Sequence, residues 1–133
     1  MNNLVNFELA QLLKENGYNE PTYDCYNLNG LLFSNGWCEY IADDYEFDGL
    51  VKPHKLKEKD VLAPTISEVV MWLYEKHNIW ISVRINGIDK TFDYSIHDIE
   101  NMGGSLDNIE RSSFIKPSYA YQEAILYTLK NLI

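Results

Sequence analysis

Basic residues are scarce in this chain: 11 lysines and arginines stand against 20 acids in 133 residues, a net charge of −9. A field of that sign repels phosphate backbones, so nucleic acid is not an expected partner. There are two cysteines, Cys25 and Cys38, without C-x-x-C spacing. The three histidines, His54, His77 and His97, lie far apart, so no zinc motif and no metal are expected. The longest apolar run, Val69 to Tyr74, is far short of the ~20 residues that span a bilayer, so no membrane partner is expected. Met1-Asn2-Asn3 has neither a basic segment nor an apolar core, so the expectation is a cytoplasmic protein without a secretory signal and with two reduced thiols. No G-x-S-x-G, no dinucleotide fingerprint and no phosphate-binding loop occur, so no catalytic residue and no cofactor are assigned.

What is present is a globular composition, 46% hydrophobic and 14% aromatic, with ten tyrosines. One domain over 1–133 is expected, of class α+β: a mainly antiparallel sheet of four or five strands packed against two or three helices.

Asn6 can cap a first helix whose apolar stripe is Leu9, Leu12 and Leu13 and which Gly17 ends. Thr22–Tyr26 has strand propensity, Asn27-Leu28-Asn29-Gly30 is turn chemistry, and Leu31–Phe33 reads as the returning strand. Asn35-Gly36 marks a further turn before Trp37–Ile41, and a long surface loop fills about 42–61. Thr65-Ile66-Ser67-Glu68 is a capping box after Pro64, opening a second helix that buries Ile66, Val69, Trp72 and Leu73 and stops near His77-Asn78.

Ile79, Ile81, Val83 and Ile85 then alternate with Trp80, Ser82 and Arg84, which predicts a strand covered on one face. Asn86-Gly87 predicts a two-residue hairpin turn, a register that opposes Ile85 to Ile88, Arg84 to Asp89 and Ile81 to Phe92. Gly103-Gly104-Ser105 reads as a loop and Ser113–Ile115 as a short strand. Pro117-Ser118 opens a last helix with Tyr121, Ala124, Ile125, Thr128, Leu129 and Leu132 at helical spacing. A helix followed by a hairpin thus occurs twice.

Charge is uneven along the chain. Residues 1–48 hold nine acids and one base, Lys14, a net of −8. Asp44-Tyr45-Glu46-Phe47-Asp48-Gly49 matches the opening of a calcium loop, but Lys55 occupies the position where a bidentate glutamate belongs, so the acids read as a solvated loop. The same third is rich in rings: Tyr18, Tyr23, Tyr26, Trp37, Tyr40 and Tyr45. Aromatic side chains bury large area at small entropic cost, which suits an interface. The expected partner-binding face is therefore Tyr23, Tyr26, Trp37, Tyr40, Asp43, Asp44, Tyr45, Glu46 and Asp48, joined by Trp80 on the polar face of the hairpin. The expected role is a non-enzymatic binding or accessory protein that engages a protein with a basic surface. The alternative is a small-molecule binder or small hydrolase with a pocket between sheet and helices. Oligomeric state is left open by the sequence.

Three segments, Leu9–Tyr18, Ala63–Ile79 and Tyr121–Ala124, together resemble a group of small uncharacterised proteins of anaerobic gut bacteria and their phages and mobile elements. The resemblance lies at the three helices, and Ala63–Ile79 is its most specific part. It departs at Ser118, which is followed by Tyr121 where that group carries an acid, and in a longer stretch between Gly49 and Leu62. It implies a mobile-element context and brings no catalytic residue with it.

Overall fold

The computed structural model describes residues 3–33, 59–101 and 109–133. The expected Asn35-Gly36 turn, the Trp37–Ile41 strand, the Gly103–Ser105 loop and most of the 42–61 loop lie outside these residues. The architecture is α+β and antiparallel, with three α-helices and two three-stranded sheets among the described residues, rather than one sheet of four or five strands. The chain clusters into two compact units, Asn2–Thr65 and Ile66–Ile133.

In the first unit, helix α1 (Phe7–Glu15) begins where Asn6 holds an extended backbone and its side-chain oxygen accepts from Leu9 N at 2.9 Å. Such a cap contributes about 1 kcal/mol. The helix ends in a Schellman arrangement: Gly17 takes φ +88°, its N–H donates to Lys14 O, and Tyr18 N–H donates to Leu13 O. Leu9, Ala10 and Leu13 are buried, and so is Tyr18. Strands β1 (Cys25–Tyr26) and β2 (Leu32–Phe33) form a hairpin, and β3 (Val61–Leu62) pairs with the other side of β1. The registers are Cys25 opposite Phe33 and Leu62, and Tyr26 opposite Leu32 and Val61. Leu4 bridges to Thr65, and Val5 N–H donates to Pro64 O at 3.0 Å.

Cys25 is disulfide-bonded, which corrects the expectation of two reduced thiols. The only other cysteine in the chain is Cys38. Pairing depends on Cβ atoms meeting in the fold, and sequence spacing carries no signal of that.

The second unit starts with α2 (Ile66–His77), which buries Ile66, Val69, Val70, Trp72 and Leu73. It stops at Asn78, whose φ of +55° is the left-handed conformation that asparagine tolerates best after glycine. Strands β4 (Ile79–Asn86) and β5 (Thr91–Asp98) form a long hairpin, followed by a 3-10 turn, Ile99–Asn101, then β6 (Ile109–Phe114) beside β5. Helix α3 (Pro117–Asn131) packs on all three strands, and α2 packs on β4 and α3. Ile81, Ile96, Val69, Leu73, Ala120, Ala124 and Ile125 are almost wholly excluded from solvent.

The hairpin is where predicted, but its register is not. Ile85 pairs with Phe92, Arg84 with Asp93 and Ile81 with Ile96, a slide of four residues along β5. Residues 87–90 form a four-residue loop, with Lys90 at φ +56°, in place of a two-residue Asn-Gly turn. The physical reason lies in Asn86. A two-residue turn would place it at positive φ; instead it ends β4 and its side-chain oxygen accepts from Ile88 N at 3.1 Å. Ile88 then stands 93% exposed at the loop tip.

Phe92 pairs with Phe114 but Tyr94 with Arg111, so β6 carries one extra residue there. Ser113, at φ +79°, occupies this bulge in a conformation usually left to glycine. The two units also differ in topology. The third strand joins beside the first hairpin strand in one sheet and beside the second in the other. Among the described residues, the recurring order of helix and hairpin therefore does not build the same strand order twice.

Candidate functional site

The expected binding residues are distributed as follows. Trp37, Tyr40, Asp43, Asp44, Tyr45, Glu46 and Asp48, together with the 44–49 acidic motif, lie outside the described residues. Tyr23 and Tyr26 belong to the first unit and Trp80 to the second. Tyr18 is core, because the Schellman turn that ends α1 folds it back over Leu13.

Around β1 and β2 the turn chemistry is explicit. The Asn27 side-chain oxygen accepts from Asn29 N at 2.9 Å and Leu31 N at 3.0 Å, and Gly30 N–H donates to the Asn27 carbonyl. These bonds hold the turn so that Leu28, Leu31 and Leu32 face water, as does Tyr23 just before β1; the four are between 38% and 60% exposed. Leu28, Leu31 and Leu32 were not among the expected binding residues. The signal for Leu28 was its position inside Asn27-Leu28-Asn29-Gly30, because a turn tip points its side chains outward.

Tyr26 is half-buried and structural. Its hydroxyl donates to Val5 O at 2.7 Å and its ring meets Phe7 edge-on at 5.6 Å. Burial, and after it the Asp24 carboxylate, pushes the phenol up from its ordinary value of 10.0. The folded state therefore favours the neutral phenol. That contribution is complete below the unfolded value of about 10 and is lost as pH rises through the raised folded value. Tyr26→Phe is expected to cost about 1 kcal/mol at neutral pH. It should also flatten the alkaline limb of stability, which urea titrations at neutral and strongly alkaline pH will read.

In the second unit, one face of β4 and β5 meets the helices and the other is polar. That outer face pairs Trp80 with His97, Ser82 with Ser95, Arg84 with Asp93 and Asn86 with Thr91. The Ser82 and Ser95 hydroxyls lie 2.8 Å apart, and His97 Nε2 is 3.3 Å from Ser95 Oγ. Arg84 Nε is 4.0 Å from Asp93 Oδ2. Trp80 meets Tyr74 edge-on at 5.7 Å. Along this face of β5 the order is Asp93, Ser95 and His97.

Thr91 Oγ1 and Asp93 Oδ1 are buried on this face with no hydrogen-bond partner among the described residues. An unmet buried hydroxyl is a net cost. Thr91→Val is therefore expected to stabilise the protein by about 1 kcal/mol, measured by urea unfolding. Destabilisation of that size would show that the hydroxyl is satisfied in solution.

Among the described residues no group of three or more His, Cys, Asp or Glu side chains is placed to hold a metal ion. No described helix is long and apolar enough to cross a membrane. No family model, no curated protein and no solved structure matches this chain.

Proposed function

We propose that the chain is a non-enzymatic binding protein that docks a basic protein surface through the β1–β2 hairpin and the acidic residues of the first 48 positions. Such a role suits an accessory protein carried by a phage or mobile element. The observation that carries the reading is the cluster of large apolar side chains in water at one braced turn: Tyr23, Leu28, Leu31 and Leu32. Single exposed apolar residues are ordinary, whereas four within ten residues at one short hairpin are a concentration that suits docking. The patch lies within the first 48 residues, whose net charge of −8 would speed and orient the approach of a cationic partner.

The test is affinity capture from the native host, followed by binding assays with the recovered, purified partner. Leu28→Ser with Leu31→Ser, at solvent-facing positions, is expected to weaken binding at least about tenfold while leaving the circular dichroism spectrum intact. Reversing Asp43, Asp44, Glu46 and Asp48 to lysine is expected to slow association and remove its salt dependence. Binding unchanged by the leucine pair rejects the hairpin as the docking element. Binding unchanged by the charge reversal rejects a basic partner.

A further inference from the structure

The β4–β5–β6 sheet has two edges, and they are built differently. On the β6 side the strand is kinked by the bulge at Ser113. Bulges of this kind blunt an edge against further pairing. On the β4 side, Ile79-Trp80-Ile81-Ser82-Val83-Arg84-Ile85-Asn86 is continuous and free of proline, lysine and bulge. No described strand lies beyond it. At eight residues it is longer than the commonest strands, and as an edge it presents a row of backbone donors and acceptors with no described strand to receive them.

We propose that this edge pairs antiparallel with β4 of a second copy of the chain, about a two-fold axis at Ser82. The side chains select both the occupant and the register. With Ser82 opposite its own copy, Trp80 faces Arg84 of the second molecule and Arg84 faces its Trp80, two symmetric cation–π contacts on the outer face. On the helix-facing side, Ile79 meets Ile85 and Ile81 meets Val83, each pair occurring twice.

The residues that gain cover are Ile85, Arg84 and the part of Trp80 that the Tyr74 ring does not cover. Ile85 is 65% exposed, Trp80 37%, and the Arg84 side chain 70%. The guanidinium is only loosely held, its Nε at 4.0 Å from Asp93. Registers that keep both faces continuous differ by two residues. The next one, centred on Val83, would place Trp80 against Asn86 and Arg84 against Ser82, losing both cation–π contacts. The edge carries one charged side chain, Arg84, and in the Ser82 register the two arginines lie at opposite ends of the ladder rather than side by side. A strand ladder is small as interfaces go, so the dimer is expected to dissociate in the micromolar range.

The experiment is sedimentation equilibrium of the full chain across a concentration series bracketing that range. A monomer–dimer equilibrium is the expected result. Ile85→Lys, at a solvent-facing position the fold tolerates, and Ser82→Lys, which sets two ammonium groups directly opposite, should each raise the dissociation constant at least about tenfold. Register is read by mild oxidation with diamide and a non-reducing gel. Ser82→Cys should cross-link to its own copy, whereas Arg84→Cys should not.

A chain that stays monomeric throughout the series overturns the proposal. So does a dimer indifferent to Ile85→Lys, or one in which Arg84→Cys cross-links and Ser82→Cys does not. None of these readouts involves the β1–β2 hairpin, so failure here leaves the proposed docking function standing, and the reverse also holds.

Discussion

Replacing Ile125 with alanine is expected to cost about 2–5 kcal/mol of folding free energy. Ile125 is 0% exposed on α3, the helix that packs on all three strands of the second sheet. Of its companions on the buried face of that helix, Ala120 and Ala124 are too short to fill the space its side chain would leave, and Thr128 and Leu129 are themselves buried in place. The sheet beneath is held by the full β4–β5 register, so the cavity cannot easily collapse. The loss therefore combines lost transfer energy with an unfilled void, against a total stability of about 5–15 kcal/mol for an ordinary domain. Ile125→Val, which removes one methylene group, should cost about 0.5–1.5 kcal/mol. Urea unfolding checks both, and a cost below about 1 kcal/mol for the alanine variant would mean that this face of α3 is not packed as described.

Gly30→Ala is expected to be the second large effect, at about 2–3 kcal/mol, because two costs add. Gly30 sits at φ +79°, where any L side chain is strained by about 1–2 kcal/mol. An added Cβ would also lie 3.1 Å from Phe7 Cδ2, closer than ordinary contact, and 3.4 Å from its Cγ. The Phe7 ring would have to move, and it is the ring against which Tyr26 packs. Gly17→Ala is the control: φ is +88°, but nothing lies within 4 Å of the added atom. Gly17→Ala should therefore show the backbone cost alone. Equal losses at the two positions would show that Phe7 swings aside freely. Thermal melts of the two variants decide it.

The helices were legible because their ends are chemically marked. Asn6 and Gly17 bracket α1, Thr65 precedes α2 by one residue, and Pro117 opens α3. The strands were less so. β1, β2 and β3 have two residues each, too few for an alternation to show which sheet they join. They pair among themselves, which is why two sheets form where one was expected.

The hairpin register failed for a particular reason. Ile88-Asp89 and Phe92-Asp93 are near copies four residues apart, and a slide of four preserves which face each side chain takes. Apolar still met apolar and Arg84 still met an aspartate, so the pattern could not distinguish the registers; the Asn86 side-chain bond to Ile88 N separates them. At the candidate site, ring content and charge counts named residues but gave no direction to them. Tyr18 turned inward and Tyr26 spends its hydroxyl on Val5, while the leucines that face water had been assigned to turn and strand.

The kink at Ser113 determines how far self-assembly can run. Among the described residues only one border of the β4–β5–β6 sheet is straight, so in the proposed pairing each molecule has a single valence for growth of this sheet. A two-fold encounter consumes both valences and turns both kinked borders outward. The contact is isologous and closes at two, whereas a filament would need a second usable border on every copy. One serine with an unusual backbone thus caps what would otherwise be an open-ended polymer.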